Sequence, residues 1–419
     1  MRHTREDVGS SADKALELPS LVDALVTFHR QTAIRATSSE DVYAAVDAQA
    51  AGEVAAIREH LFSEEDRQRL DHLEEWLEQD RLRLGALLES RQAYQVSSWA
   101  LDHPESQLIH EGRSLLVNAI GHDPSAPGAE LPSDPASDLA ALLVGLESRG
   151  EVALARLALD RYLRLSGDYE VCRLLSLFAT CHALTGARRA LQRRPSADQD
   201  PEHPALLAEC MAECRRFLVL AERIAEFRFP PLVIAVGVSG SGKSRFTSGL
   251  VARLGAIRVC SDVERRRLYG IEAESAYPQP VTSTQGVDIF SEEATRRTYR
   301  RLASCAGAML DAGIPACVDG TFLTRWQRDL LRQQAEARGL PCLLVSFEAD
   351  DATLKRRIDK RARRQGIQPQ ASLAVLEHQQ KIFEAFGDEE RLNLVHLDTT
   401  ADNAAETLVG LIEEHVKLL

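Results

Sequence analysis

Hydrophobic positions follow one rhythm before two prolines at positions 230 and 231, and another after them. In the first half, apolar residues recur every three or four positions, as on one face of an α-helix. Three runs show this spacing: Leu21, Leu25 and Phe28; Leu70, Leu73, Trp76 and Leu77; and Leu139, Leu142, Leu143 and Leu146. We therefore predict that the first half is mostly α-helical.

The second half alternates short apolar runs with amphipathic stretches, which is typical of an α/β domain. The predicted strands are 232–238, 257–261, 315–319, 341–347 and 393–397. Helices are predicted at 243–254, 290–312, 325–338, 350–364, 371–386 and 403–417. Because apolar strands separated by helices pair in parallel, we expect a five-stranded parallel sheet with helices on both faces.

The prolines also mark the predicted domain boundary, since a proline disfavours helix at the residue before it. We predict a helical domain at 1–228 and an α/β domain at 229–419, as the length of 419 residues suggests. The net charge of −13 divides unevenly. Residues 1–230 hold 25 basic and 38 acidic side chains, whereas residues 231–419 hold 25 of each.

Composition narrows the class of protein. An apolar fraction of 44% excludes a wholly disordered chain. No apolar run is long enough for a bilayer-spanning helix, and the first twenty residues contain no secretory signal. The eight cysteines are scattered through apolar surroundings, as reduced thiols are. We expect a cytoplasmic protein without a membrane partner.

One motif predicts a specific chemistry, the binding of phosphate groups. Residues Gly237 to Ser244 fit the phosphate-loop pattern GxxxxGK[ST] between an apolar strand and a helix. Glycines let backbone N–H groups point at phosphates, Lys243 can reach the β- and γ-phosphates, and the Ser244 hydroxyl can ligate Mg²⁺. The alternative is a glycine-rich turn that binds nothing. The predicted ATP-binding residues are Gly237, Ser239, Gly240, Ser241, Gly242, Lys243, Ser244 and Arg245.

Two carboxylates follow later strands. Asp262 ends the second strand, on the sheet edge of the phosphate loop, where it could accept the proton of an attacking hydroxyl. Its alternative role is a helix N-cap, and the two roles are compatible. Asp319 ends the third strand, where it could orient Mg²⁺ through water or hold the acceptor. Its alternative role is to hydrogen-bond the following turn.

A basic stretch follows the fourth strand, with seven Lys or Arg among residues 354–364. Helical spacing puts Arg357 and Arg361 on one face. Such a helix could act as a lid that offers guanidinium groups to a transferring phosphoryl group. The alternative is a solvated charged face.

Together these motifs resemble those of the P-loop kinases that include polynucleotide 5′-hydroxyl kinase domains, zeta toxins and small AAA-domain kinases. The resemblance covers residues 231–400 and implies ATP-dependent phosphoryl transfer to a hydroxyl. By this resemblance Asp262 is the general base, Arg265 and Asp319 contact the acceptor, and Arg361, assisted by Arg357, stabilises the transition state.

The whole chain resembles bacterial proteins that join an aminoglycoside-phosphotransferase-like domain to such a kinase. That family's catalytic HGDLHxxN run would fall on residues 100–107, where only Asp102 remains, and its metal-binding aspartate would fall near Asn118. No nucleotide-binding lobe is expected before residue 20. The resemblance thus implies a degenerate, non-catalytic, pseudokinase-like domain at 1–228.

Three functions remain open. The first is an ATP- and Mg²⁺-dependent kinase acting on a small-molecule hydroxyl. The second is a kinase for a nucleic-acid 5′-hydroxyl, which the neutral second half disfavours because non-specific nucleic-acid binding depends on basic surface. The third is an ATP-dependent regulatory or interaction protein.

Overall fold

The computed structural model describes residues 17–33, 42–61, 63–91, 107–110, 113–116, 134–193, 204–271, 288–364 and 369–417. The chain forms two compact units. The helical unit consists of Met1–Ala158 and Leu174–Glu226, and the α/β unit consists of Leu159–Arg173 and Phe227–Leu419. The α/β unit thus includes a short segment that precedes the prolines by more than fifty residues.

The helices of the first half follow the predicted apolar spacing, which confirms its mostly helical character. They are α1 (Leu18–Gln31), α2 (Val42–Arg58), α3 (Glu64–Arg91), α4 (Pro135–Glu147), α5 (Val152–Ser166), α6 (Cys172–Gln192) and α7 (Pro204–Ala225). One feature was not predicted, an antiparallel hairpin of β1 (Gln107–His110) and β2 (Arg113–Leu116). The predicted remnants Asp102 and Asn118 lie outside the described residues.

Ion pairs with buried carboxylates join distant parts of the helical unit. Arg91 at the end of α3 donates to Asp134 over 2.8 Å, and Asp134 also caps α4 by accepting the amide of Ala136. Asp66 on α3 accepts from Arg215 on α7 at 2.6 Å. These pairs are expected, because a buried charge is costly unless it is paired.

The second half is the predicted α/β fold. Its elements are β3 (Leu232–Val236), α8 (Lys243–Leu254), β4 (Ile257–Cys260), α9 (Ser261–Leu268), α10 (Glu292–Asp311), β5 (Ala316–Asp319), α11 (Arg325–Glu336), β6 (Cys342–Glu348), α12 (Asp351–Arg364), α13 (Pro369–Ile382), α14 (Asp388–Arg391), β7 (Leu394–Asp398) and α15 (Ala404–Lys417). The five strands form one parallel sheet in the order β4-β5-β3-β6-β7. The predicted strands and sheet are confirmed, with small shifts of boundary.

The core of this unit lies on both faces of the central strand, β3, whose five residues are all buried. On one face, Val233 and Ala235 pack with Leu250 of α8 and Leu408 of α15. Helix α11 lies against β3 and β6. Side chains alternate between the faces of a strand, so a strand that is buried throughout needs cover on both. The carboxyl ends of all five strands share one edge, where α/β sheets bind ligands.

Segment 159–173 packs against β4, α9 and α10. Asp160 accepts the backbone amide of Arg258 at 3.1 Å. Arg267 of α9 donates to the carbonyl oxygens of Arg164 and Leu165. The Arg267 side chain occupies the space where a Cβ of Gly167 would lie, so this close approach depends on the glycine.

Two further findings concern the chain as a whole. All eight cysteines are free thiols, and all except Cys260 are buried. Among the helices that the structure describes, none combines the length and the apolar character needed to cross a bilayer.

Candidate active site

The phosphate loop joins the buried end of β3 to the start of α8, as predicted. Three of its glycines have positive φ: 151° at Gly237, 84° at Gly240 and 99° at Gly242. A Cβ on Gly237 would lie 2.8 Å from the carbonyl oxygen of Phe347, and one on Gly240 would lie 3.0 Å from Ile358. These positions therefore exclude larger residues both by conformation and by space.

Lys243 is buried within this loop. Its ammonium group donates to the carbonyl oxygens of Gly237 at 2.6 Å and Val238 at 3.0 Å. Burial lowers the pKa of Lys243, while the negative charges of Asp319 and Asp262 oppose that shift. The loop thus holds a cation whose charge lies close to both predicted carboxylates.

Other loop groups differ in their surroundings. The amide of Ser239 donates to the side-chain oxygen of Gln379 on α13 at 2.8 Å. Ser241 is buried, with its hydroxyl 3.4 Å from the ammonium of Lys243. Ser244 and Arg245, in the first turn of α8, are exposed. The hydroxyl that we predict as a Mg²⁺ ligand is therefore open to solvent.

Asp262 lies in the first turn of α9, directly after β4, and is exposed. The N-cap of α9 is Cys260, and no side chain accepts a capping hydrogen bond there. The capping alternative for Asp262 is therefore wrong, because the helix begins one residue before it, at Ser261. Within the described part of the chain, the Asp262 carboxylate accepts no hydrogen bond, which leaves it available to a ligand.

Asp319 ends β5 and is 3% exposed. In the parallel register it lies beside Ala235 of β3 and Cys260 of β4, so the sheet brings it to the edge of the phosphate loop. Its Oδ2 atom is 3.5 Å from the Thr247 hydroxyl and 3.7 Å from the Arg258 guanidinium. Both distances are long, so this buried carboxylate is only weakly satisfied by the protein.

Arg265 is held one turn beyond Asp262. Its guanidinium donates to the carbonyl oxygen of Ile289 at 2.7 Å and lies 5.3 Å from the ring centroid of Phe290. Burial lowers the pKa of Arg265, and the charge of Asp262 acts in the opposite direction. The predicted acceptor contact therefore has a fixed position beside the predicted base.

The two arginines predicted on α12 differ in their contacts with the rest of the protein. Arg357 donates to the hydroxyl of Thr399 at 2.9 Å and to its carbonyl oxygen at 3.0 Å, and it also approaches the Gly240 carbonyl at 3.3 Å. Arg361 is exposed and makes no hydrogen bond or ion pair with the residues that the structure describes, although its charge lowers the pKa of Lys243. Arg357 ties α12 to the phosphate loop, and Arg361 is the available guanidinium.

The segment after Asp319 contains a feature that sequence reasoning missed. Phe322 is fully buried with φ of 49°, the only positive φ among the described non-glycine residues. Its amide donates to the hydroxyl of Tyr299, and the Thr321 carbonyl accepts the amide of Gly237. Backbone strain of this kind often accompanies functional sites. Here the hydrogen bond between Gly237 and Thr321 joins the phosphate loop to the segment that follows Asp319.

A buried ion pair supports this segment and was also missed. Arg328 on α11 donates to both carboxylate oxygens of Glu390 at 2.5 and 3.1 Å, and both side chains are completely buried. Arg328 also donates to the carbonyl oxygens of Phe322 and Glu384. The signal in the sequence is an arginine at a core-facing position of an amphipathic helix, which requires a buried partner.

Two cavities adjoin the phosphate loop. A cavity of about 270 Å³ lies between α12, the first turns of α8 and the residues after β7, and Arg245, Arg357 and Thr399 contribute to its wall. A cavity of about 810 Å³ lies beside β6 and β7, where Phe386 and His396 contribute to the wall. Ligands can thus approach the loop from two sides.

Comparison with known proteins concerns the α/β unit. A family profile described as an AAA domain matches residues 232–386. No curated protein matches the chain. The predicted α/β fold class is confirmed by the five-stranded parallel sheet, whose central strand leads into the phosphate loop.

Several solved structures are similar to part of the chain. A sugar kinase from a Janibacter species is 23% identical, with a TM-score of 0.32, over 44% of this chain and 95% of that one. A gluconokinase from Sinorhizobium meliloti is 23% identical, with a TM-score of 0.32, over 46% and 97%. A Mycobacterium tuberculosis APS kinase in complex with AMPPNP and APS is 20% identical, with a TM-score of 0.32, over 44% and 99%.

Proposed function

We propose that the α/β unit is an ATP- and Mg²⁺-dependent kinase that transfers a γ-phosphoryl group to a hydroxyl of a small-molecule acceptor. The observation that carries this proposal is the meeting of three groups at one sheet edge. Lys243 lies in the phosphate loop, Asp319 is buried next to it, and Asp262 is exposed without a protein partner among the described residues. A phosphate cradle beside a free carboxylate suits proton removal during phosphoryl transfer.

The cavity of about 270 Å³ is the proposed nucleoside site, because it adjoins the start of α8 and leads to the phosphate loop. A nucleotide bound there places its phosphates at the loop amides and the α8 N-terminus, which favours anions. Lys243 then exchanges its carbonyl partners for phosphate oxygens. Gln379 must likewise release the Ser239 amide.

The oxygen donors of the site fit Mg²⁺. Among the described residues no group of three or more His, Cys, Asp or Glu side chains could hold a metal. Mg²⁺ needs no such cage, since it usually binds one or two carboxylates, substrate phosphates and water. Ser244 would ligate it, with substrate phosphates and water as its other ligands. Bound there, Mg²⁺ neutralises charge on the β- and γ-phosphates.

In the proposed reaction, Asp262 accepts the proton of the acceptor hydroxyl. The acceptor oxygen forms a bond to the γ-phosphorus while the bond to the bridging β–γ oxygen breaks, which leaves ADP. Arg265 and Asp319 position the acceptor, and Arg361 offers a guanidinium to the transferring group, with Arg357 holding α12 on the loop. Because arginine's planar fork matches phosphate oxygens, it suits this role.

Labelled ATP tests the proposal. The full-length protein is incubated with Mg²⁺, γ-labelled ATP and separate pools of sugars, nucleosides and 5′-hydroxyl oligonucleotides. Transfer to a small acceptor that Asp262→Ala abolishes supports the kinase. ATP hydrolysis that is indifferent to Asp262, with no labelled acceptor, would instead indicate an ATP-dependent regulatory protein.

A nucleic-acid 5′-hydroxyl remains the second candidate acceptor, and one observation favours it. Phe290 is 66% exposed beneath Arg265, and Trp326 is 40% exposed beneath Arg296. Exposed aromatic rings next to guanidinium groups can stack on bases. Labelling of oligonucleotides but not of sugars or nucleosides would decide for this acceptor.

We further propose that the helical domain at 1–228 is aminoglycoside-phosphotransferase-like and non-catalytic. All phosphoryl transfer then depends on the phosphate loop. The full-length Lys243→Ala variant is expected to transfer no label, and residual transfer would show a second catalytic site.

A further inference from the structure

A second large cavity lies wholly within the helical unit. Its volume is about 750 Å³, within the usual range for small-molecule sites. The end of α4, the last turns of α6 and the middle of α7 form its wall. None of these elements belongs to the phosphate-loop site.

The charge of this cavity is opposite to that of the surrounding sequence. Five arginines and two glutamates contribute to its wall, although residues 1–230 carry a net charge of −13. The arginines are Arg149, Arg189, Arg193, Arg216 and Arg223. An excess of positive charge in a concave site raises the local concentration of negatively charged ligands.

The two glutamates neutralise only part of this charge. Arg223 donates to Glu147 at 2.8 Å, and Arg193 donates to Glu213. Arg149 donates instead to a backbone carbonyl, that of Gly145, at 2.6 Å, and burial lowers its pKa.

In the part of the chain that the structure describes, neither Arg149 nor Arg216 contacts a carboxylate. Two guanidinium groups that line the cavity therefore have donors without an anionic partner.

One side of the cavity is apolar. Phe217 and Leu220 of α7 are buried and contribute to its wall. The Phe217 ring packs against the backbone of α6 at Gly186, where an added Cβ would lie 2.7 Å from the ring. Aromatic and aliphatic surface beside guanidinium groups suits a ligand with an organic body and an anionic head.

We propose that this cavity binds a small organic phosphate, with its phosphate at Arg149 and Arg216 and its organic part against Phe217. Phosphate suits the site because a guanidinium can donate two parallel hydrogen bonds to its oxygens. A dianionic head also offsets the excess of arginine over glutamate.

Phenyl phosphate is the probe, with phenol and inorganic phosphate as its two halves. Binding to the full-length protein is followed by ligand-observed NMR. We expect saturable binding of phenyl phosphate, and weaker binding of both halves. The double variant Arg149→Gln/Arg216→Gln should weaken it about tenfold or more, because two charge-assisted hydrogen-bond partners are lost.

Three further variants distinguish binding in this cavity from binding at the phosphate loop or at surface arginines. Val219→Trp, at a 45% exposed position on the wall, should block the cavity without disturbing the core. Lys243→Ala in the phosphate loop and Arg58→Gln elsewhere in the helical unit should leave the affinity unchanged. All cavity variants should retain the circular dichroism spectrum and the ATP turnover of the parent.

The proposal is overturned by any of three results. These are no saturable binding up to about 10 mM, an unchanged affinity in both the double variant and Val219→Trp, and loss of binding in Lys243→Ala. The last result would assign the phosphate to the phosphate loop instead.

Discussion

The buried pair Arg328–Glu390 gives the sharpest stability prediction. Glu390→Gln keeps the shape of the side chain but removes its charge. The Arg328 guanidinium, completely buried, then loses the carboxylate that meets it at 2.5 and 3.1 Å. Its remaining acceptors are backbone carbonyls, among them those of Phe322 and Glu384.

The expected loss is large because a charge is left buried without compensation. Breaking one partner of a buried ion pair costs about 3–5 kcal/mol, and we expect the lower end since the amide still accepts one hydrogen bond. Burial disfavours ionised Glu390, but hydrogen bonds from Arg328 and from the Gly387 amide outweigh it, so its pKa lies below the ordinary value. A carboxyl group with a depressed folded-state pKa contributes stability that is fully present above its ordinary pKa of about 4.5. This contribution is lost as the pH falls through the folded-state pKa.

Urea unfolding measures the effect. Replacing Trp76 and Trp99 by phenylalanine leaves Trp326 of α11 as the single tryptophan, so that selectively excited tryptophan fluorescence reports the α/β unit. The matched control is Asp388→Asn, which breaks the pair with Arg391 on the same short helix. Asp388 is 99% exposed, and such surface pairs contribute little.

Equal small losses in Glu390→Gln and Asp388→Asn would refute the reasoning. So would a loss in Glu390→Gln that does not shrink between pH 7 and pH 4. Replacing both partners by apolar residues, as Arg328→Met/Glu390→Leu, should recover much of the stability, because no charge then remains buried.

Three other measurements test separate features. Gly237→Ala, at φ of 151°, should abolish ATP binding measured by calorimetry. Gly249→Ala, with open space around it, should leave ATP binding unchanged and raise the free energy of unfolding by about 0.5–1 kcal/mol. Equal ATP affinities in the two variants would contradict this. Desolvation of the half-buried Cys260 thiol, together with the negative charges of Asp319 and Asp262, raises its pKa to about 12. Iodoacetamide should therefore label it slowly at pH 8, as mass spectrometry can check. The hydrogen bond from Arg215 lowers the pKa of Asp66, so Arg215→Gln should destabilise the protein above about pH 4 and lose its effect in stronger acid; a pH-independent difference in Tm would contradict this.

The sheet and the phosphate loop were predictable because their signals are local. Apolar runs bounded by polar residues indicate strands, and the glycine pattern from Gly237 to Gly242 specifies a backbone that few sequences can adopt. Asp262 and Asp319 end the second and third predicted strands, so they are also expected at the sheet edge where the phosphate loop lies. Their approach to Lys243 also depends on the strand order β4-β5-β3, which no local pattern specifies.

Other features depend on contacts between residues distant in sequence, and no local pattern carries them. The charge run of α12 does not distinguish Arg357, which ties the helix to Thr399, from Arg361, which is exposed. Phe322, with its positive φ, packs against Tyr299, which lies 23 positions earlier in the chain. The amphipathic pattern of α11 indicates that Arg328 is buried, but it does not indicate the partner, Glu390, which lies 62 positions later.

The segment at 159–173 has a consequence for how this protein can be divided. Strand β4 is the edge of the sheet, and Asp160 accepts one of its amides. A fragment that starts at the prolines would leave that amide exposed, and uncovered strand edges pair with other chains and aggregate. We expect such a fragment to aggregate unless the segment is supplied with it.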